Sequence, residues 1–95
     1  MVNQDQKKQL KAMAHHLKPV VLMGKEGISE NLILTTIDSL TAHQLIKVHV
    51  ANTSPISVQE AAIELSVATK ADIIQTIGRM IVLYKPSKDR KKWLV

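Results

Sequence analysis

The period of the apolar positions changes several times along this 95-residue chain. Between Asp5 and His16 it is helical. Leu10, Met13, Ala14 and Leu17 recur at i, i+3, i+4 and i+7, the stripe of an amphipathic helix. Pro19 ends that helix, because the residue before a proline disfavours helical geometry. "PVVLM" is short and continuously apolar, which predicts a buried strand. A glycine-bearing loop follows, and then Ser29, a good N-cap. Ile28 and Ile33 stand at the positions of a hydrophobic staple, and Leu34, Ile37 and Leu40 carry the apolar face of a second helix to about His43.

"LIKVHVA" alternates instead. Ile46, Val48 and Val50 point one way, and Lys47 and His49 point the other, toward solvent or a ligand. After the loop "NTSPI", Ser57 and Glu60 have the spacing of a capping box. A third helix follows with Val58, Ala61, Ala62, Leu65 and Ala68 inward and Glu60 and Glu64 outward. "DIIQTI" and "MIVLY" read as strands joined by Gly78-Arg79, and glycine first in a two-residue loop fits a type II′ hairpin. The predicted order is αβαβαββ: a single two-layer α/β domain over residues 1–85, its four-stranded mixed sheet carrying helices mostly on one face. Residues 86–95 form a basic tail.

Charge changes this picture. The net +5 divides into +3 over residues 1–27, −2 over 28–84 and +4 over 85–95. Basic ends around a slightly acidic middle suggest a footprint for a polyanion, though a solvated tail and a lysine-rich helix face would read the same way. On the first helix Lys7 and Lys11, with Lys18 if the helix reaches it, fall within about 40° of one another, and Lys8 lies further round. Lys85 stands at the end of the domain, and Lys88, Arg90, Lys91 and Lys92 give the tail the character of a flexible electrostatic arm. No apolar run is long enough to span a membrane, and no signal-peptide stretch opens the chain. Without cysteine there is no disulfide, thiolate nucleophile or Cys metal site, so a cytoplasmic protein is expected.

Candidate chemistry is sparse. The four histidines, His15, His16, His43 and His49, lack metal-binding spacing. No serine sits in a nucleophile elbow. Met13, Met23 and Met80 lie among apolar neighbours and read as core. The expectation is no enzyme, no metal, no cofactor and no small-molecule substrate. "GKEG", Gly24 to Gly27, lacks the spacing of a P-loop. Its glycines nevertheless let backbone approach a phosphate, the amides opening the second helix add partial positive charge, and Lys25 adds a full one. The GXXG loop of KH domains clamps nucleic-acid backbone in this way.

The ordered set "LKxxAHxLKPVVLMGKxGIS…LIKVHV…IGRMIVLYKPS" resembles the CRM domain, the chloroplast RNA splicing and ribosome maturation module, in its stand-alone bacterial YhbY-type form. The resemblance covers roughly Gln6 to Lys91. It implies an RNA-binding domain with a fold similar to the C-terminal domain of translation initiation factor three. It also implies ribosomal RNA, or large-subunit precursor particles, as partner. Gly24, Lys25, Glu26 and Gly27 match the family's GxxG loop, Ala14, His15, Leu17, Lys18 and Pro19 its "AHxLKP" run, and Gly78, Tyr84 and Lys85 its last hairpin. Glu26 departs from what a phosphate clamp favours. With Tyr84 and Trp93 the only aromatic residues, recognition by backbone and shape is expected, and Trp93 either packs on the domain or stacks on a base. Two other readings stand beside this one: a protein-interaction module docking a basic ribosomal protein, and a small basic DNA-binding protein.

Overall fold

Each predicted element forms. In the computed structural model, which describes residues 2–95, the order is α1 (Gln4–Ala14), β1 (Val21–Met23), α2 (Glu30–His43), β2 (Leu45–Val50), α3 (Val58–Thr69), β3 (Asp72–Ile77) and β4 (Met80–Tyr84), with a short 3₁₀ turn over Arg90–Lys92. The strands lie in the order β1-β2-β4-β3. β1 runs parallel to β2, and the other pairings are antiparallel, so the sheet is mixed.

The alternation in β2 decides which layer lies on which face. Ile46, Val48 and Val50 join Leu40 of α2 and Val58, Ala61, Ala62 and Leu65 of α3 in the main core. Leu45 turns to the opposite face, where α1 buries Leu10 and Ala14 against Ile74, Val82 and Tyr84. Two helices therefore share one face, and α1 covers part of the other. Ile73 packs against the main core and Ile74 on the α1 face by ordinary alternation. The bulge between Ile73 and Gln75 then shifts the parity, so that Gln75 and Ile77 pair with Val82 and Met80. The hairpin turn has a positive φ at Gly78 and not at Arg79, as a type II′ turn requires.

Several expected positions move. α1 ends at Ala14, so Lys18 lies beyond it in the connecting segment and joins no helical row with Lys7 and Lys11. Met13 and Leu17 are 41% and 38% exposed, because α1 buries Leu10 and Ala14 against the sheet and Leu17 lies beyond the helix. Met13 is therefore not core, whereas Met23 is fully buried and Met80 half-buried. Leu34 is exposed, since α2 has only the three residues of β1 beneath its outer side. Ala68 is exposed, and Thr69 takes the buried place, its hydroxyl donating to the Leu65 carbonyl. At α3 only the serine half of the capping box forms, Ser57 Oγ accepting the Glu60 amide at 3.1 Å. The complete box is at α1, between Asn3 and Gln6.

The tail is folded back and is no loose arm. Gln44, at a positive φ after α2, clasps it at three points: its carbonyl accepts from the Lys85 amide, its Oε1 from the Ser87 amide and its Nε2 donates to the Lys92 carbonyl. Trp93 Nε1 donates to the Ser87 carbonyl at 2.7 Å, and the Arg90 guanidinium lies 5.4 Å from the Trp93 ring centroid. Val95 packs on the cluster beneath α1.

Under this cover sits Tyr84, 2% exposed, its hydroxyl without a hydrogen-bond partner. Burial pushes its pKa above the ordinary 10.0 and the Asp72 carboxylate adds to that; the nearby Leu94 amide offsets part of the shift without reaching hydrogen-bonding geometry. The folded state holds this proton more tightly than the unfolded chain. The contribution to stability is therefore complete below about pH 10 and is lost as pH rises through the folded-state pKa. Tyr84→Phe should be at least as stable as the parent at neutral pH, by up to about 1 kcal/mol, since it removes an unpaired buried hydroxyl. Its advantage should widen above about pH 10, which urea titrations at neutral and alkaline pH would read.

Candidate nucleic-acid interface

The glycine loop caps the end of the sheet where β1 and β2 finish. Gly27 donates to the Gly24 carbonyl at 3.1 Å, closing a tight turn that leaves Lys25 and Glu26 at its exposed tip. The two glycines have different causes. Gly27 has a φ of +65° and lies against the β2–α3 loop, where an added Cβ would stand 3.0 Å from Pro55 Cγ. Gly24 has no positive φ, and a Cβ there would meet nothing within 4 Å. Gly27 is thus required by the fold, while nothing within the chain requires Gly24.

Beyond the loop, Ser29 Oγ accepts the Leu32 amide. The amides of Glu30 and Asn31, opening α2, have no carbonyl one turn earlier to bond. They face the same end as Gly24, Lys25 and Gly27, which with Leu22 and Thr35 line an open groove of about 570 Å³. Glu26 and Glu30 are exposed beside Lys25. The side chains here do not form a strongly positive patch, so any hold on phosphate falls to Lys25 and the open amides.

A second layer positions the loop, and its key residue carries no local sequence signal. Arg79, in the β3–β4 hairpin, donates from Nε to the Val50 carbonyl and from Nη2 to the Ala51 carbonyl, each at 2.6 Å. Ala51 in turn donates to the Met23 carbonyl, directly before Gly24. The chain Arg79–Ala51–Met23 fixes where β1 hands over to the glycine loop. Arg79→Ala should lower stability by about 1 kcal/mol, roughly 4–8 °C in melting temperature. Arg79→Lys should recover only part of this, because a lysine cannot reproduce the forked donation. Thermal unfolding of both variants checks this.

The other basic candidates are dispersed. Lys11 lines a hollow on the α1 face with His15 and Lys47. Lys7 is half-buried and Lys8 exposed on α1. Lys18 lines an apolar groove with Met13, Leu17 and Val20. Lys85, Lys88, Arg90, Lys91 and Lys92 leave from the far end of β4, opposite the glycine loop. The five residues of β4 put about 14 Å of strand between the two ends. Sequence proximity to a "basic end" thus concealed at least two separate basic regions.

The CRS1 / YhbY (CRM) domain model matches residues 2–85. A Haemophilus influenzae protein named "RNA-binding protein" is 42% identical over 86 residues, covering 90% of this chain and 87% of its own length. "Probable RNA-binding protein YqeI" of Bacillus subtilis is 38% identical over 92 residues, covering 97% and 96%. The hypothetical protein SAV1595 from Staphylococcus aureus, solved in solution, superposes with a TM-score of 0.83 at 40% identity, covering 100% of this chain and 99% of that one. A match over nearly the whole chain, with the same arrangement of helices and mixed sheet, places this protein in the CRS1 / YhbY (CRM) domain family.

Proposed function

We propose that this family member binds RNA, gripping the backbone of a structured RNA in the groove over the glycine loop while the lysines of α1 and the tail attract neighbouring phosphates. Gly24 carries the reading. Its backbone conformation and its surroundings would accept a side chain, so its bare surface serves an approach from outside. The names of the Haemophilus influenzae and Bacillus subtilis relatives support RNA as the ligand. The finer target we propose, from the family resemblance, is ribosomal RNA in large-subunit precursors, met in the cytoplasm during ribosome assembly. On this reading the protein acts by binding alone, without catalysis or cofactor.

Salt titration of binding to a structured RNA tests the mechanism. If about four phosphates are neutralised, log K should fall with log salt at a slope near −3. Lys25→Glu should weaken binding about tenfold, and Glu26→Lys should strengthen it, both with stability changed by no more than ~0.5 kcal/mol. A flat salt response, or Lys25→Glu binding as well as the parent, rejects the clamp. A DNA duplex competing equally would favour the DNA-binding reading. The outer face of α3, where Ile63 and Val67 are 59% and 75% exposed beside Glu60 and Glu64, favours a protein partner as second reading. Charge changes confined to that face should leave RNA affinity unaltered.

A further inference from the structure

The sheet face that carries α1 is only partly covered. α1 packs on Leu45, Ile74, Val82 and Tyr84, toward the end where the tail leaves. At the glycine-loop end the strand register aligns Leu22, His49, Met80 and Ile77 in one row across all four strands. Leu22 and Ile77 are 64% and 59% exposed, and His49 and Met80 between them are half-buried. Three large apolar side chains and an imidazole thus form an open strip with no helix over it.

We propose that this row binds nucleobases of the RNA strand whose backbone crosses the glycine loop. The proposal rests on the RNA-binding reading above and adds a second, base-contacting element to it. Continuity is one reason. Leu22 lines the groove over the glycine loop and also, with His49, the hollow next to Pro19, so one surface leads from Gly24 onto the sheet. Charge is another. The hollow of about 280 Å³ between α1 and the row is lined by Lys11, His15 and Lys47 along with Ile77 and Met80, and by no acidic side chain. Phosphates beside bound bases need that balance. Size agrees as well: four strands about 4.8 Å apart span about 14 Å between outer strands, room for two or three nucleotides. The chemistry suits base faces, because an imidazole stacks on them and a thioether adapts to them. Contact of this kind depends on the presence of a base and little on which base it is.

The test uses the full chain and two probes of equal length, a single-stranded oligouridylate and the same backbone made abasic at its internal positions. The parent should bind the base-bearing probe about tenfold more tightly than the abasic one. Ile77→Ser with His49→Ala, both outside the groove over the glycine loop, should bring that ratio below about threefold with abasic affinity unchanged. His49→Ala alone should reduce the ratio in the same direction, and it replaces the double variant should that one fail to fold. Lys25→Glu should weaken both probes alike and leave the ratio intact. Equal affinity of the parent for the two probes, or an unaltered ratio in the strip variants, overturns the strip while leaving backbone binding standing. If neither probe binds at low salt while a structured RNA does, the strip is overturned and the RNA reading stands; if the structured RNA fails to bind as well, the RNA reading itself has failed and the strip falls with it.

Discussion

Replacing Gly27 with alanine should cost the fold about 2 kcal/mol or more, whereas the same change at Gly24 should cost it nothing and weaken RNA binding about tenfold. At Gly27 two penalties combine. A left-handed φ of +65° is unfavourable for any residue with a Cβ, and that Cβ would press on Pro55 Cγ at 3.0 Å. Pro55 is exposed in the loop that Arg79 braces at Ala51, so relieving the contact means shifting the ring or the loop. A melting temperature lower by roughly 10 °C is expected. At Gly24 neither penalty applies, and alanine slightly reduces the freedom of the unfolded chain, so stability should hold or rise by up to about 0.5 kcal/mol. The new methyl stands where a phosphate would approach. Losing one charge-assisted amide contact of about 1.5 kcal/mol is roughly a tenfold loss of affinity. Thermal unfolding and RNA titration of the two variants form a crossed comparison. Should Gly24→Ala keep full affinity, the backbone-approach idea is wrong and Lys25 must act without it.

The glycine loop shows what a sequence can reveal and where it stops. "GKEG" marks a loop poised at a helix start, and that much is local. Which glycine serves the fold depends on Pro55, 28 positions from Gly27, and so on tertiary contact alone. The same distinction runs through the fold. The alternation of β2 correctly separates Ile46, Val48 and Val50 from Lys47 and His49, because a strand presents its faces by parity. Helical periodicity gives the direction of a face but not its width. Leu34 and Met13 belong to their apolar stripes yet lie beyond the edge of what the sheet beneath can cover. Arg79 and Gln44 act through hydrogen bonds to residues 28 to 48 positions away, so no window along the chain contains both partners. The complete Asn3–Gln6 capping box, by contrast, was within local reach. Its spacing matches the Ser57–Glu60 pair, with an amide in place of each hydroxyl and carboxylate.

Deleting Pro86–Val95 should lower stability by about 2 kcal/mol and should weaken binding to long RNAs while sparing short ones. The stability loss follows from the clasp. Without the tail, Val95 no longer covers the cluster beneath α1, and the Gln44 side chain loses its partners at Ser87 and Lys92. The binding pattern follows from geometry. The deletion removes Lys88, Arg90, Lys91, Lys92 and Asp89, a net charge of +3. These groups leave from the end of β4 opposite the glycine loop, beyond the screening length of about 8 Å at physiological salt. An oligonucleotide of about four residues seated at the loop does not reach them, and its affinity should stay within twofold or so. A structured RNA long enough to pass both ends should bind more weakly and with a shallower salt slope. Its preference over other long RNAs should survive, because phosphate contacts position without specifying. Gln44→Ala separates the two roles. It removes the two side-chain bonds to the tail but keeps the tail's charge, so stability should fall while long-RNA affinity and salt slope remain close to the parent's. Equal losses on short and long RNAs would show that the tail acts through the fold of the glycine-loop end. An untouched salt slope on the long RNA would leave Lys11, Lys47 and the glycine loop to bind it unaided.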